Sequence, residues 1–204
     1  MSNGIKVVKR AGHIEPLDLE KMHKMVELSC EGLAGVSASQ VEIQSGIQFY
    51  DGLTTSQIQG ILVKSASDLI DLECPNYQYV AARLLLFGLR KNLYGRIHEL
   101  PTLIDQINRG IGKGIYDSDI LTKYSKSEIE SLDKIIDHDR DYLFTYAGLR
   151  QVVDKYLVQD RSTGSLYETP QFMYLLIAMT IFAEYPPESR LSLIHISEPT
   201  RQRV

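Results

Sequence analysis

The segment "VVKRAGHIEPLDLEKMHK", residues 7–24, decides how the chain begins. Two short extended stretches flank Ala11 and Gly12, and Gly12 suits a tight turn because glycine adopts positive φ without steric cost. Asp18 then stands at the N-cap position of a helix whose apolar residues recur every three or four positions. The chain is therefore expected to open with a small β-hairpin that leads into a helix.

Positive charge is concentrated in this opening segment. Residues 1–24 contain five lysines and arginines against three acids, whereas the whole chain has a formal net charge of −4. No general basic field exists, so we expect no nucleic-acid partner and look for a local polyanion site. The start of a helix favours oxyanions through its free N–H groups and its dipole. The candidate residues are Lys9, Arg10, Lys21, Thr55 and Lys91.

Three further helices are predicted before Gly95. Ser39 and Glu42 have the spacing of a capping box, and Thr54 or Thr55 caps the next helix. Pro75 opens the fourth helix. The predicted fold is mainly α, with a small N-terminal β-hairpin as a lid over four helices, followed by a second helical region. The predicted domains are residues 1–95 and 96–190.

The second region is expected to contain shorter helices. Residues 102–135 are interrupted by the glycine-rich "RGIGKGIYD", and residues 136–158 are predicted to form one helix. "QDRSTGSLYETP" is typical of a turn between two short extended pieces. The apolar run at 172–183 is shorter than the roughly 20 residues that a bilayer requires, so it is interpreted as a buried helix and no membrane partner is expected.

Several classes of site are disfavoured. Cys30 and Cys74 are far apart and lack a C-x-x-C pair, which argues against a disulfide framework and a structural zinc site. With no readable secretory signal, a cytoplasmic location is expected. The P-loop pattern G-x-x-x-x-G-K-[ST] is missing. "DHDRD", residues 137–141, offers metal-type or acid/base side chains, but we interpret it as capping and surface pairing at a helix start.

Three segments carry a family resemblance: "VVKRAGHIEPLDLEKMHK", "VSASQVEIQSGIQFYDGLTTSQI" and "CPNYQYVAARLLLFGLRK". In this order they resemble the ATP cone at the start of the large subunit of class I aerobic ribonucleotide reductase. The likeness continues through "IDHDRDYLFTYAGLRQVVDKYLVQDRSTGSLYETPQFMYLLIAMTIFAEYP", similar to the helical segment that leads into that enzyme's barrel. It covers essentially residues 5–190.

The resemblance implies a regulatory nucleotide site. In the family, the cone binds ATP as activator or dATP as inhibitor, here expected with magnesium and without a tightly bound cofactor. By residue matching, the phosphates are expected at Lys9, Arg10, Lys21, Thr55 and Lys91, and the nucleoside at Glu15 and Leu17. The parent enzyme reduces ribonucleotides to deoxyribonucleotides. Its implied partners are a small radical-generating subunit and further copies of itself.

Some positions depart from the family pattern. Gln59 and Gly88 stand where histidine is often found, Gln57 where aspartate is common, and Asp18 where asparagine is usual. These departures put inhibition by dATP in doubt. The alternatives are a stand-alone ATP-cone regulator and a helical interaction module with a vestigial cone. No residue of this chain matches a catalytic residue of the family, so the fragment alone is expected to be inactive.

The end of the sequence breaks the resemblance. From Leu191 the chain reads "LSLIHISEPTRQRV". One DNA sequence that would encode the first eleven of these residues looks like a common transposon-based sequencing adapter. Residues 191–204 are therefore expected to be a non-native tail.

Overall fold

A computed structural model describes residues 5–9 and 12–197. As expected, the fold is mainly helical, with one small sheet near the N-terminus. Internal contacts divide the chain into two compact units, Met1–Leu89 with Tyr142–Gln151 and Arg90–Asp141 with Val152–Val204. The division falls a few residues before the domain boundary predicted near Gly95, and that boundary stays a prediction.

The sheet of the first unit has three strands in the order β2–β1–β3. β1 (Lys6–Val8) and β2 (Ile14–Pro16) form the predicted antiparallel hairpin, and its turn contains Gly12 at φ 85°. β3 (Leu53–Thr54) pairs with β1 in parallel. The sequence did not predict β3, because two residues are too few to show the alternation that identifies a strand.

The four helices predicted before Gly95 are present. They are α1 (Leu19–Cys30), α2 (Ala38–Gly46), α3 (Thr55–Asp68) and α4 (Tyr77–Tyr94). Each helix contributes apolar side chains to the core, although Leu19, predicted on the inward face of α1, is 60% exposed. Its fully buried members include Val26, Val41, Leu62, Val80 and Leu84.

The predicted caps hold for α1 and α3. The Asp18 carboxylate accepts a hydrogen bond from the backbone N–H of Lys21 at 2.9 Å. Thr54, rather than Thr55, is the N-cap of α3. Its hydroxyl accepts from the N–H of Gln57 at 3.1 Å, and the Gln57 side chain accepts from the N–H of Thr54 at 2.8 Å. This reciprocal pair satisfies two backbone donors at the start of α3.

The capping box predicted for α2 is wrong. The helix begins at Ala38, its N-cap is Ser37, and the Ser37 side chain makes no capping hydrogen bond. Glu42 instead lies within hydrogen-bond distance of the His23 ring on α1. The Glu42 carboxylate, which the local pattern assigned to a cap, therefore contacts a neighbouring helix instead.

Short helices lie between residues 102 and 135, as the glycine-rich interruption predicted. They are α5 (Leu103–Gly112), α6 (Asp119–Lys123) and α7 (Lys126–Asp133). The helices α9 (Pro170–Ile181) and α10 (Pro187–Ser197) also belong to the second unit, while α8 (Tyr146–Gln151) belongs to the first. Between α8 and α9, Gln159 and Leu166 form an isolated antiparallel bridge around the predicted turn.

The predicted buried helix is α9. Its Phe172, Leu175 and Met179 are fully buried in a core that α5 and α7 complete. Ile177 and Ile181 remain 49% and 63% exposed. Over residues 5–9 and 12–197, no helix combines the length and apolar character needed to cross a membrane.

The single helix predicted for residues 136–158 is wrong. A 3₁₀ helix covers His138–Leu143, α8 follows, and a π-helical turn covers Val152–Tyr156. The Thr145 hydroxyl accepts a hydrogen bond from the N–H of Gly148 at 3.2 Å. Thr145 therefore starts α8 as a new helix, and continuous periodicity in the sequence did not reveal the break.

The interpretation of "DHDRD" is correct at one end and wrong at the other. The Asp137 carboxylate accepts from the N–H of Asp139 at 3.0 Å, as expected of a cap. Asp141, however, is buried, and its Oδ2 lies 3.2 Å from Nη2 of buried Arg90. Gln171 donates to its other oxygen at 3.0 Å. Asp141, the last residue of this charged cluster, thus belongs to a buried ion pair and not to the surface.

Candidate functional site

The hairpin brings two predicted site residues together. Lys9 follows β1 directly, and its Nζ lies 2.6 Å from Oε1 of Glu15 in β2. The N–H of Lys9 donates to the carbonyl of His13 at 2.9 Å, which closes the turn. The hydrogen bond from Lys9 is the main cause that lowers the pKa of Glu15. A cation and an ionised carboxylate are therefore held side by side at the turn end of the hairpin.

The third strand brings a helix start to the same end of the sheet, on the other side of β1. Because β1 and β3 run parallel, Val8 stands opposite Thr54, and the next residues are Lys9 and Thr55. Thr54 caps α3, so the positive end of that helix dipole begins at the level of Lys9. Thr55 is the first helical residue and is half-buried. A lysine beside a capped helix start can hold an oxyanion.

Leu17 and Lys21 continue the site along the chain. The N–H of Leu17 donates to the carbonyl of Ile5 at 2.7 Å, which extends the hairpin pairing by one residue. Glu15 and Leu17 are two residues apart, the spacing that places side chains on one face of a strand. Lys21 is exposed on the first turn of α1. Because Asp18 caps this turn, its negative charge is partly compensated by the backbone N–H of Lys21.

All seven site assignments stay predictions, and two of the residues are not placed beside the others. Arg10 lies outside the described residues. Lys91 lies near the C-terminal end of α4, in the stretch that contacts assign to the second unit. It stands three residues after Gly88, the spacing that places two residues on one helix face.

The departures from the family pattern have structural roles here. The Gln59 amide donates to the carbonyl of Leu84 at 2.7 Å. A Cβ atom added to Gly88 would lie 2.9 Å from Cγ of Gln59, so the glutamine side chain packs directly on the glycine. Gln57 is engaged in the cap of α3. The pair of Gln59 and Gly88 thus joins α3 to α4 by size complementarity.

Sequence reasoning missed His13. Its Nε2 lies 3.3 Å from the second carboxylate oxygen of Glu15, so Glu15 sits between two basic side chains. The signal was available, since residues 13 and 15 are two apart on a predicted strand and share a face. His13 is exposed, and it adds a basic side chain at the end of the sheet where Lys9 and Thr55 lie.

Comparison with protein families finds two matches along the chain. Residues 5–92 match the ATP cone domain. Residues 142–198 match the all-alpha domain of ribonucleotide reductase. The second match extends into the expected non-native tail, where α10 continues to Ser197 and Ile194 is buried in the core. The tail assignment from Leu191 onward remains a prediction.

Curated relatives match almost the whole chain. The chain is 46% identical over 194 residues to ribonucleoside-diphosphate reductase 1 subunit alpha of Escherichia coli strain K12, which is 95% of this chain and 25% of the relative. It is 44% identical to the alpha subunit of Haemophilus influenzae, over 95% of this chain and 26% of the relative. It is 40% identical to the alpha subunit of Enterobacteria phage T4, over 98% of this chain and 26% of the relative. The chain therefore spans about a quarter of each of these relatives.

Proposed function

Because this chain belongs to the family of ribonucleoside-diphosphate reductase alpha subunits and carries its ATP cone and all-alpha domain, we propose that the cone binds a nucleoside triphosphate as an allosteric effector. The relatives are subunits of an oxidoreductase. The proposal for this chain concerns binding, since the family's catalytic residues are expected outside it.

The parallel pairing of β1 with β3 carries the proposal. It sets Lys9 at the level of Thr55, where α3 begins. Phosphate oxygens placed there would meet a lysine ammonium, a threonine hydroxyl and the positive end of a 14-residue helix. Lys21 on α1 supplies a further charge, and Arg10 and Lys91 are proposed to complete the set. Magnesium would arrive with the triphosphate that binds it.

Glu15 has a separate role in this proposal. While the site is free, it holds Lys9 in place through the 2.6 Å contact. When phosphate takes over Lys9, the carboxylate becomes available to accept a hydrogen bond from a ribose hydroxyl or an adenine amino group. Leu17 on the same face would contact the nucleoside. Gln59 and Gly88 replace histidines of the family pattern, so inhibition by dATP is left outside the proposal.

For the whole protein we propose the activity of the family. It would reduce ribonucleotides to deoxyribonucleotides together with a small radical-generating subunit, as a homo-oligomer in the cytoplasm. A stand-alone ATP-cone regulator is disfavoured, because the all-alpha domain of a reductase follows the cone. A vestigial cone is the alternative that the following experiment tests.

The test is calorimetric titration of ATP and of dATP, each with magnesium, into the full chain. Saturable binding is expected, and Lys9→Ala should lower the affinity about ten- to a hundredfold, because a hydrogen bond to a charged group contributes about 1.5–3 kcal/mol. Combining it with Lys91→Ala should lower the affinity further. The ratio of the two affinities reports whether the cone distinguishes the ribose hydroxyl.

Lys24→Ala is the matched control. Lys24 is an exposed lysine of α1 that pairs with Glu20 at 2.9 Å, so its loss should leave the affinity nearly unchanged. Equal losses for Lys9→Ala and Lys24→Ala would show only a general charge effect. A folded wild-type chain that takes up neither nucleotide would establish a vestigial cone.

A further inference from the structure

His23 lies between two carboxylates on different helices. Its Nδ1 is 2.7 Å from Oε1 of Glu42 on α2. Its Nε2 is 3.1 Å from Oε1 of Glu27, one turn further along α1. Both ring nitrogens therefore face a carboxylate oxygen. An ionised carboxylate accepts hydrogen bonds and cannot donate them.

Only one protonation state of His23 lets both ring nitrogens donate hydrogen bonds to these carboxylates. A neutral imidazole has one N–H and one lone pair, so one of its two nitrogens would direct a lone pair at a carboxylate. The imidazolium donates from both nitrogens. We propose that His23 is a pH-sensitive clasp, which fastens α1 to α2 when it is protonated and loosens one of its two contacts when it loses the proton.

The charged groups around the ring are few. On its own helix, Glu27 faces it, while Lys24 is turned to Glu20. On α2 the facing group is Glu42, the one charged residue of that helix. From α4, Arg83 reaches the carbonyls of Ser29 and Glu31, well over one turn beyond His23. The surroundings therefore favour positive charge on the ring.

The electrostatic direction agrees with the geometry. The hydrogen bond to Glu42 is the largest cause that raises the pKa of His23 above 6.5. A histidine whose folded pKa is raised stabilises the fold fully below the unfolded value of 6.5. That contribution is lost as pH rises through the folded value. The clasp should therefore loosen as pH rises from 6.5 through the folded pKa of His23.

The test is an NMR titration of the histidine ring protons and the backbone amides in the full chain. The His23 midpoint should lie above 6.5, and Glu42→Gln and Glu27→Gln should each lower it, Glu42→Gln by more. Amides of α2, which carries no histidine, should shift with the same midpoint as the ring. Those amide shifts should vanish in His23→Gln.

Two controls separate a clasp from an ordinary surface histidine. Glu20→Gln changes an exposed acid of α1 that pairs with Lys24, and it should leave the His23 midpoint in place. His98→Gln changes an exposed histidine of the second unit and should leave the α2 amide titration intact. An unchanged midpoint in Glu42→Gln, or α2 amide shifts that persist in His23→Gln, would overturn the proposal.

Discussion

The two units each contain an ion pair, and the two pairs sit in opposite surroundings. Lys9 and Glu15 lie 2.6 Å apart, with side chains 27% and 38% exposed. Arg90 and Asp141 lie 3.2 Å apart, with side chains 2% and 0% exposed. The first pair can exchange partners with water or a ligand at little cost. The second pair cannot exchange partners in this way, because either charge left alone in the core would be unsolvated.

The difference separates a binding role from a structural one. An exposed pair contributes little to stability, so a phosphate can replace Glu15 as the partner of Lys9 without endangering the fold. The Arg90 guanidinium also donates to the carbonyl of His138 at 2.6 Å, which adds a main-chain tie to the ion pair. Three measurements test this contrast, and a fourth tests a neutral packing contact in the first unit.

The largest effect is expected for Arg90→Ala. The variant leaves the Asp141 carboxylate buried without its cation, and removing one partner of a buried pair costs about 3–5 kcal/mol. Urea unfolding at pH 7 should show this loss. Lys9→Ala should leave the unfolding midpoint nearly in place. Similar midpoints for the two variants would remove the contrast between the pairs.

The pH dependence of the second unit sharpens the contrast. Burial is the main cause that lowers the pKa of His138 from 6.5 to about 4, and burial raises the pKa of Asp141 from 3.8 to about 6. The His138 contribution to stability is therefore lost as pH falls from 6.5 through about 4. The Asp141 contribution is present below 3.8 and is lost as pH rises through about 6.

These two dependences oppose each other between about pH 4 and pH 6. His138→Gln removes one of them, so the variant should gain stability on acidification from pH 7, whereas the wild type should change less. Urea unfolding at several pH values measures both curves. Parallel curves for the wild type and the variant would show that His138 does not titrate differently in the folded state.

A second buried carboxylate tests whether the rule extends beyond ion pairs. The Tyr116 hydroxyl donates to Oε2 of buried Glu168 at 2.5 Å, and the N–H of Val158 donates to Oε1 at 3.1 Å. Tyr116→Phe removes one donor, with an expected cost of about 1–3 kcal/mol. Tyr156→Phe, at an exposed tyrosine, is the matched control. Equal unfolding midpoints for both variants would contradict the assigned role of Tyr116.

The smallest effect concerns Gly88 in the first unit. Alanine in place of a helix glycine gains about 1 kcal/mol, but here its Cβ would meet Gln59 at 2.9 Å. Displacing Gln59 would cost its hydrogen bond to Leu84, also about 1 kcal/mol. Gly88→Ala should therefore be nearly neutral in the wild type and stabilising in Gln59→Ala, by thermal unfolding. Gly60→Ala, with open space around it, should stabilise both backgrounds equally.

Local signals in the sequence were sufficient for much of the fold. Asp18 and Gly12 indicated a cap and a turn through their own backbone preferences, and the apolar spacing predicted most of the inward faces of α3 and α4. The contact of Lys9 with Glu15 was foreseeable from the hairpin. No local pattern indicated that Arg90 would be buried, since arginine is usually exposed.

Long-range pairing was the part that could not be predicted. β3 exists because β1 provides its hydrogen-bond partners, and its two residues have no pattern of their own. Glu42 had two possible partners, a local cap and a distant histidine, and the fold selected His23. In both places the decisive contact joins residues that are far apart in the sequence.

The parallel pairing also sets an order of events during synthesis. The N–H of Lys6 donates to the carboxylate of Asp51 at 2.9 Å, across 45 positions of sequence. Protein synthesis adds about 5–20 residues per second, so the turn that leads into β3 is made roughly 2–9 s after β1. During that interval one edge of the hairpin has no parallel partner. The proposed nucleotide site, where Lys9 lies at the level of the start of α3, is therefore completed only after α1 and α2 have been made.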